Sequence, residues 1–243
     1  MRKLIIPISA GMMCLSFTII PPKSQQPASA ATITTSSVSD AVSAKEMASQ
    51  LYNDICLQEY GLSKTAFEYA WKGYQYLVEK GSIKRSEYLT ICDFSQSSRQ
   101  KRLYIIDVAN AKLVTNTWVA HGRNSGNEYA TKFSNIPESL QSSLGFYVTS
   151  HTYTGEHGLS LRVNGVDPGF NDKALARSIV IHGAAYVDGA RAKAGIMMGR
   201  SFGCPAVPVK ESTKIITTIK EGTCLFIYHP SKNYLLGSKI LNG

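Results

Sequence analysis

The sequence predicts a mainly β domain of the α+β class with a helical pair on its N-terminal side. Three observations carry that expectation. Apolar residues recur with the helical period between Ser63 and Gly81. From Leu89 onward the pattern changes to short runs rich in Val, Ile, Thr, Tyr and Phe, separated by turn residues. Two of these runs, 103–108 and 113–119, are joined by Ala109-Asn110-Ala111-Lys112, a hairpin signature. No repeat or low-complexity tract interrupts the pattern after the first 30 residues.

Taken in order, Arg2 and Lys3 precede an apolar run over 4–20, and a polar stretch then ends in Ala28-Ser29-Ala30, a small-x-small pattern suited to signal peptidase. Residues 1–30 read as an export signal, with the mature chain starting near Ala31 and located in the periplasm or cell envelope. The run is 17 residues long and holds Pro7, Ser9 and Gly11, which makes it a poor membrane anchor, so no stable membrane insertion is expected after cleavage. Cys14 lies inside that run, behind Gly11-Met12-Met13, which is not a lipidation context.

Residues 31–84 form an N-terminal segment: a flexible stretch over 31–39, a weak helix over 39–56, then a strong one. In the strong helix Ser63 is a candidate N-cap, Phe67, Ala70, Trp71, Tyr74, Leu77 and Val78 form one apolar face, and Gly81 is the stop. That face is assigned to docking on the following domain. Residues 85–229 carry the hairpin, further strands over 145–150, 159–163, 178–181 and 223–228, and a short helix over 211–220. Residues 230–243 are left as a C-terminal tail.

Removing 30 of 243 residues leaves 213, enough for one ordinary domain with a substantial core. The chain holds 26 Lys and Arg against 17 Asp and Glu, a net +9; the presequence removes three basic residues and no acid, leaving +6. That balance suits an anionic polymer, whereas 18% charged residues without a run of five Lys or Arg give no footprint for nucleic acid. Cys56, Cys92, Cys204 and Cys224 survive processing. In an oxidising compartment an even count invites disulfides, and Cys56 with Cys92 is the candidate pair if Cys204 must stay free. Cys224, in the apolar run CLFIY, reads as a buried strand thiol.

The chemistry lies in the stretch 181–208, IHGAAYVDGARAKAGIMMGRSFGCPAVP. Cys204 follows Gly203, stands three residues after Ser201, and has His182 22 residues upstream. An ordinary thiol titrates near roughly 8.5, so at neutral pH it needs a neighbouring base to become a nucleophile. It also needs uncovered backbone N–H groups to hold the oxyanion, which Gly203 and Cys204 can offer. These residue types predict a Cys/His acyl-transfer enzyme. His121, in VAHGRNSG, is a candidate for the cleft rim, while His151 and His157 read as loop residues. A zinc peptidase built on His151, His157, His182 and Cys204 fits poorly, because no HExxH or paired CxxC occurs and His151-x5-His157 is not a usual ligand spacing. No metal or cofactor is expected.

The order His-Gly, then Ser-x-Gly-Cys closely downstream, resembles the L,D-transpeptidase catalytic-domain (YkuD-type) family of bacterial cell-wall enzymes, in its murein L,D-transpeptidase branch. IDVANAKLVTNTWVAHGRNSG (106–126), ATKFSN (130–135), SSLGFYVT (142–149), HGLSLRVNGVD (157–167) and GRSFGCPAVP (199–208) add to the likeness, which covers roughly 85–229. The resemblance implies an L,D-transpeptidase-like β-sandwich or barrel catalytic domain. It implies that Cys204 is the nucleophile and His182 its base, with the Gly183 carbonyl orienting the imidazole and Ser201 orienting the loop or polarising the donor carbonyl. The implied substrates are peptidoglycan peptide stems: attack at the carbonyl of the L-centred diaminopimelate residue, release of D-Ala, and transfer to an amine. Carbapenems are expected to acylate the same thiol.

One departure stands out. Better-known members carry an arginine soon after the cysteine, whereas here Pro205-Ala206-Val207 follows and no arginine occurs after Arg200. Arg200 is therefore expected to hold the substrate carboxylate, with Tyr186 and His121 as further binding residues. Papain-type peptidases place Cys before His and sortases need an arginine downstream of the Cys, so neither matches. The alternatives are an L,D-carboxypeptidase with water as acceptor, and a non-catalytic wall-binding module, against which His182, Ser201, Gly203 and Cys204 together argue. A second stem, water or an outer-membrane protein lysine all remain open as acceptor.

Overall fold

The computed structural model describes residues 36–243, with side chains from residue 45. The expected export signal lies outside them. The helical pair is α1 (Ser36–Asp54) and α2 (Lys64–Glu79), linked through a 3-10 turn at Leu57–Tyr60. α2 starts where Ser63 Oγ accepts a hydrogen bond from Ala66 N at 3.1 Å, and Gly81, just past its end, takes φ 66°. Ala66, Phe67, Ala70, Trp71, Tyr74 and Leu77 are buried as the periodicity requires. Val78 is 38% exposed; it sits about 100° around the helix from Leu77, which takes the core position. Gly73 also faces inward. A Cβ there would stand 2.0 Å from the Phe146 ring, so this mid-helix glycine is what lets α2 lie directly on the sheet. Each fully buried large apolar side chain on this face contributes about 1.5–3 kcal/mol.

The eight strands are β1 (Tyr88–Asp93), β2 (Leu103–Asp107), β3 (Lys112–Thr117), β4 (Gly145–Gly155), β5 (Gly158–Gly165), β6 (Val180–Ala184), β7 (Ala206–Pro208) and β8 (Cys224–Tyr228). They form one mixed sheet in the order β3-β2-β1-β8-β4-β5-β6-β7. β1 with β8 and β6 with β7 are parallel; the other pairs are antiparallel. Just beyond β3, Ala120 bridges Ala206 of β7, which brings the two edges of the sheet together and makes it barrel-like.

The expected hairpin is β2-β3. β4 runs five residues beyond the expected strand, because past a register break between Thr149 and Thr152 it leaves β8 and continues on β5 alone. That half is polar and partly exposed, so it lacks an apolar signal. β7 is only three residues long, too short to show a period.

After β6 comes the short helix α3 (Gly189–Lys193); α4 (Val209–Ile219) follows β7 directly and buries Ser212, Ile215, Ile216 and Ile219. The segment left as a tail forms α5 (Lys232–Gly237) and α6 (Lys239–Asn242). Its anchor is polar: Tyr234 OH donates to Asp167 Oδ2 at 2.7 Å and Ser238 Oγ to Asp167 Oδ1 at 2.9 Å, all three buried. One core runs through α1, α2, the sheet and these last helices, with Phe146 and Phe226 stacked at 4.1 Å in its middle. Cys224 is enclosed in it, as expected of a strand thiol. The Cys56–Cys92 bridge is not made: both thiols are free, Cys92 fully buried within β1 and Cys56 partly exposed at the left-handed residue after α1.

Candidate active site

The sheet register builds the site. On β6, His182 pairs with Ser160 of β5 on one side and Ala206 of β7 on the other. Because β7 begins only two residues after Cys204, that parallel pairing brings the Cys204 loop to the end of β6 beside His182. α4 backs β6, with Ser212 against Gly183. His182 and Cys204 line one cavity of about 450 Å³ together with Tyr186, Arg200 and Ser201.

His182 is 3% exposed, and its Nδ1 lies 3.0 Å from Gly183 O. A carbonyl only accepts, so Nδ1 carries the proton and Nε2 is the ring nitrogen left with a lone pair. Burial pushes His182 below the ordinary imidazole range; the Gly183 carbonyl opposes this and His157 adds to it. The Cys204 thiol is 3.8 Å from Ser178 O. Burial pushes it up, against the Val180 amide, the Arg177 charge and its own amide. Both shifts favour the uncharged forms, so the resting pair at neutral pH is thiol and imidazole.

Ser201 staples the loop: its Oγ accepts from Gly203 N at 3.1 Å and donates to Cys204 O at 2.6 Å. Gly203 holds φ 126°, and a Cβ there would meet Gln141 O at 2.8 Å, so the tight turn before the cysteine requires glycine. The Gly203 amide is therefore committed to Ser201 and not free for an oxyanion, which corrects the expectation of two donors and leaves the Cys204 amide.

Arg200 lines the cavity, but its Nη1 is occupied by Arg123 O, Gly126 O and Asn127 Oδ1 at 2.9–3.0 Å. It ties down the 123–127 segment, and only its remaining nitrogens are left to meet a ligand. Tyr186 lies on the wall, its hydroxyl pushed up to about 12 by burial and then by Cys204.

His121 is not on the rim. It is 1% exposed, with Phe94 edge-on at 5.9 Å and Arg102 Nη2 2.8 Å from its Nδ1. The VAHG segment runs inward because its backbone braces the cysteine loop, Ser201 N donating to His121 O at 3.0 Å. The imidazole accordingly accepts from the guanidinium, and burial with the Arg102 charge holds it down to about 3. A histidine neutral in the fold but protonated in the unfolded chain contributes stability that is full above about 6.5 and lost as pH falls toward 3. Equilibrium unfolding of wild type against His121→Gln should therefore show a wild-type-specific loss approaching roughly 1.4 kcal/mol per pH unit between pH 6 and 4. Parallel curves would remove His121 as the cause and leave His182 and His229, also lowered by burial.

Several residues at the site were not picked out by sequence. His157, read as a loop residue, does sit in the β4-β5 turn, yet its ring stacks on His182 at 4.3 Å with 20° between planes. Tyr153, Glu156 and Ser160 reach the cavity from the same hairpin. Arg177 and Ser178 enter from the turn before β6, where Ser178 takes φ 54°. A positive φ at a serine is uncommon and turns its carbonyl toward the thiol. Only the closeness of Arg177 to His182 in sequence could have signalled it. Among the described residues no three His, Cys, Asp or Glu converge as metal ligands, and no helix is long and apolar enough to cross a membrane.

Comparison with known proteins gives one family model and a set of similar solved structures. The family model for the L,D-transpeptidase catalytic domain (YkuD_2) matches residues 58–228, starting earlier than the resemblance read from motifs and so taking in α2. Similar solved structures include an L,D-transpeptidase from Mycobacterium smegmatis (11% identity, 59% of this chain and 59% of that one, TM-score 0.37). The helical cell shape determining protein Pgp2 (K307A mutant) from Campylobacter jejuni is also similar (15% identity, 66% and 57%, TM-score 0.39). So is an L,D-transpeptidase from Xylanimonas cellulosilytica (15% identity, 63% and 68%, TM-score 0.33). The chain thus spans about 59% of the length of the first of these. No curated protein matches. With a sequence match over well more than half its length, the chain belongs to the L,D-transpeptidase catalytic-domain family.

Proposed function

We propose that the protein is an exported L,D-transpeptidase acting on peptidoglycan peptide stems in the cell envelope. The observation that carries this reading is the tautomer fixed by Gly183, which gives His182 an accepting Nε2 in the cavity it shares with Cys204. As the sulfur attacks the carbonyl of the L-centred diaminopimelate residue, its proton passes to His182, and a C–S bond forms. The C–N bond to D-Ala then breaks, with His182 returning the proton to the departing amine. The acceptor amine gives a proton to His182 while attacking the thioester; the new C–N bond forms, the C–S bond breaks, and His182 passes that proton to the departing sulfur, which regenerates the thiol. The Cys204 amide faces the developing oxyanion, and Ser201 keeps the loop in register. Arg200 holds a substrate carboxylate through its uncommitted nitrogens, and Tyr186 forms the apolar wall beside it.

The readings left open by sequence differ in product. Incubation with purified disaccharide-tetrapeptide, read by mass, is expected to show D-Ala loss together with a cross-linked dimer. Tripeptide alone would make the protein an L,D-carboxypeptidase, and an unchanged substrate would leave a wall-binding module. Adding a lysine-bearing outer-membrane protein tests for a protein acceptor.

A further inference from the structure

Arg177 is a half-buried cation at the entry to β6, beside the nucleophile loop. Its Nη1 donates to Ser134 O at 2.7 Å and to Ser143 Oγ, and its Nη2 to Gln141 O at 2.6 Å and Ser139 Oγ at 3.2 Å. Every one of these acceptors is neutral, and the buried Nε has no partner at all. Among the described residues the ion pairs are Arg85–Glu87, Arg99–Glu128 and Lys220–Glu221, so no carboxylate balances Arg177. A charge removed from water without a counter-ion is costly. The guanidinium nevertheless reaches the cysteine loop: a Cβ on Gly203 would stand 3.4 Å from Arg177 Nη2, and Arg177 lines the cavity together with Cys204.

We propose that Arg177 is a positioning residue whose fixed positive charge stabilises the Cys204 thiolate, supplying from the β6 side the cation that no residue after Cys204 supplies. Its Nη hydrogens are committed to the 134–143 segment, so it acts through its field and not as a ligand for substrate. The other charged or titratable groups around the cavity are His182, His157, Glu156, Tyr153, Tyr186 and Arg200. Glu156 opposes a thiolate, His157 stacks on His182 and disfavours charge on it, and Arg200 is tied to the 123–127 segment. Arg177 is left as the cation committed to this loop. The electrostatic balance agrees, since the Arg177 charge is among the influences that oppose the effect of burial on the thiol.

The proposal takes Cys204 as the nucleophile, as in the proposed function, but its test does not depend on turnover. In a Cys14→Ser, Cys56→Ser background the other two thiols besides Cys204, Cys92 and Cys224, are fully buried, so iodoacetamide reports on Cys204. The pH profile of alkylation, followed by intact mass, gives the apparent pKa of that thiol. Arg177→Gln is expected to raise it by about one unit or more, which slows alkylation about tenfold at pH values below both midpoints. Arg177→Lys keeps the charge and loses the fork, so its midpoint should stay within about 0.3 units of wild type even if its melting temperature falls. An unchanged midpoint in Arg177→Gln overturns the proposal. If that variant does not fold, Arg177→Lys decides, and a rise of about one unit there assigns the effect to loop anchoring and overturns it equally. Wild type that alkylates normally but never releases D-Ala would instead count against the proposed function and leave Arg177 standing.

Discussion

Cys204→Ala is expected to reduce D-Ala release from a disaccharide-tetrapeptide to background and to abolish covalent capture of a carbapenem. The thiol is the one nucleophile in the cavity whose loop is stapled on both sides, by Ser201 to Gly203 N and to Cys204 O. Losing the attacking atom removes the covalent route entirely, so no substrate concentration rescues it. The side chain is partly exposed, and its loop is held by backbone contacts that alanine retains, so the stability change should stay below about 1 kcal/mol. Intact mass after carbapenem exposure should show one adduct on wild type and none on the variant. Residual turnover, or an adduct mapped to Cys56, would sink the assignment of the nucleophile.

His182→Ala should cost about 10²- to 10⁴-fold in the acylation rate at saturating substrate. The pH dependence gives the sharper test. The imidazole acts as base only when neutral, and burial holds it below the ordinary range, with the stacked His157 adding to that. The wild-type acylation rate should thus be flat through neutrality and fall only as pH drops below about 6.5, the unperturbed imidazole value. Protonated His182 is the inactive form, so the rate rises with pH through this limb. In His182→Ala the residual rate should lose the acid limb. A limb that persists unchanged would move the base to another group, with His157 the first to examine.

The extent to which the sequence disclosed this protein follows the length scale of each signal. α2 was readable because its face repeats over sixteen residues and carries its own cap at Ser63. The β2-β3 hairpin was readable because both strands and their turn are contiguous. β7 and the far half of β4 were not, since three residues hold no period and a polar, half-exposed strand holds no apolar alternation. The C-terminal helices escaped for a related reason: what pins them is Asp167, about seventy positions away, through Tyr234 and Ser238.

The same division holds at the site. His182, Gly183, Ser201, Gly203 and Cys204 lie within 23 positions and carry their chemistry in residue type and order, so the sequence by itself determined the family, the mainly β class and the candidate nucleophile and base. It could not decide what surrounds them. His121 and His157 are equally plain histidines in sequence, yet the bridge of Ala120 to Ala206 draws the first into the core beside Arg102, while the β4-β5 turn lays the second on His182. Arg200 and Arg177 are equally plain cations, yet one is bound to the 123–127 segment and the other stands uncompensated beside Gly203. Charge and hydrogen-bonding capacity are properties of a residue, but burial, tautomer and counter-ion are properties of its neighbours. Those neighbours come from strands and turns that only the closed sheet brings together.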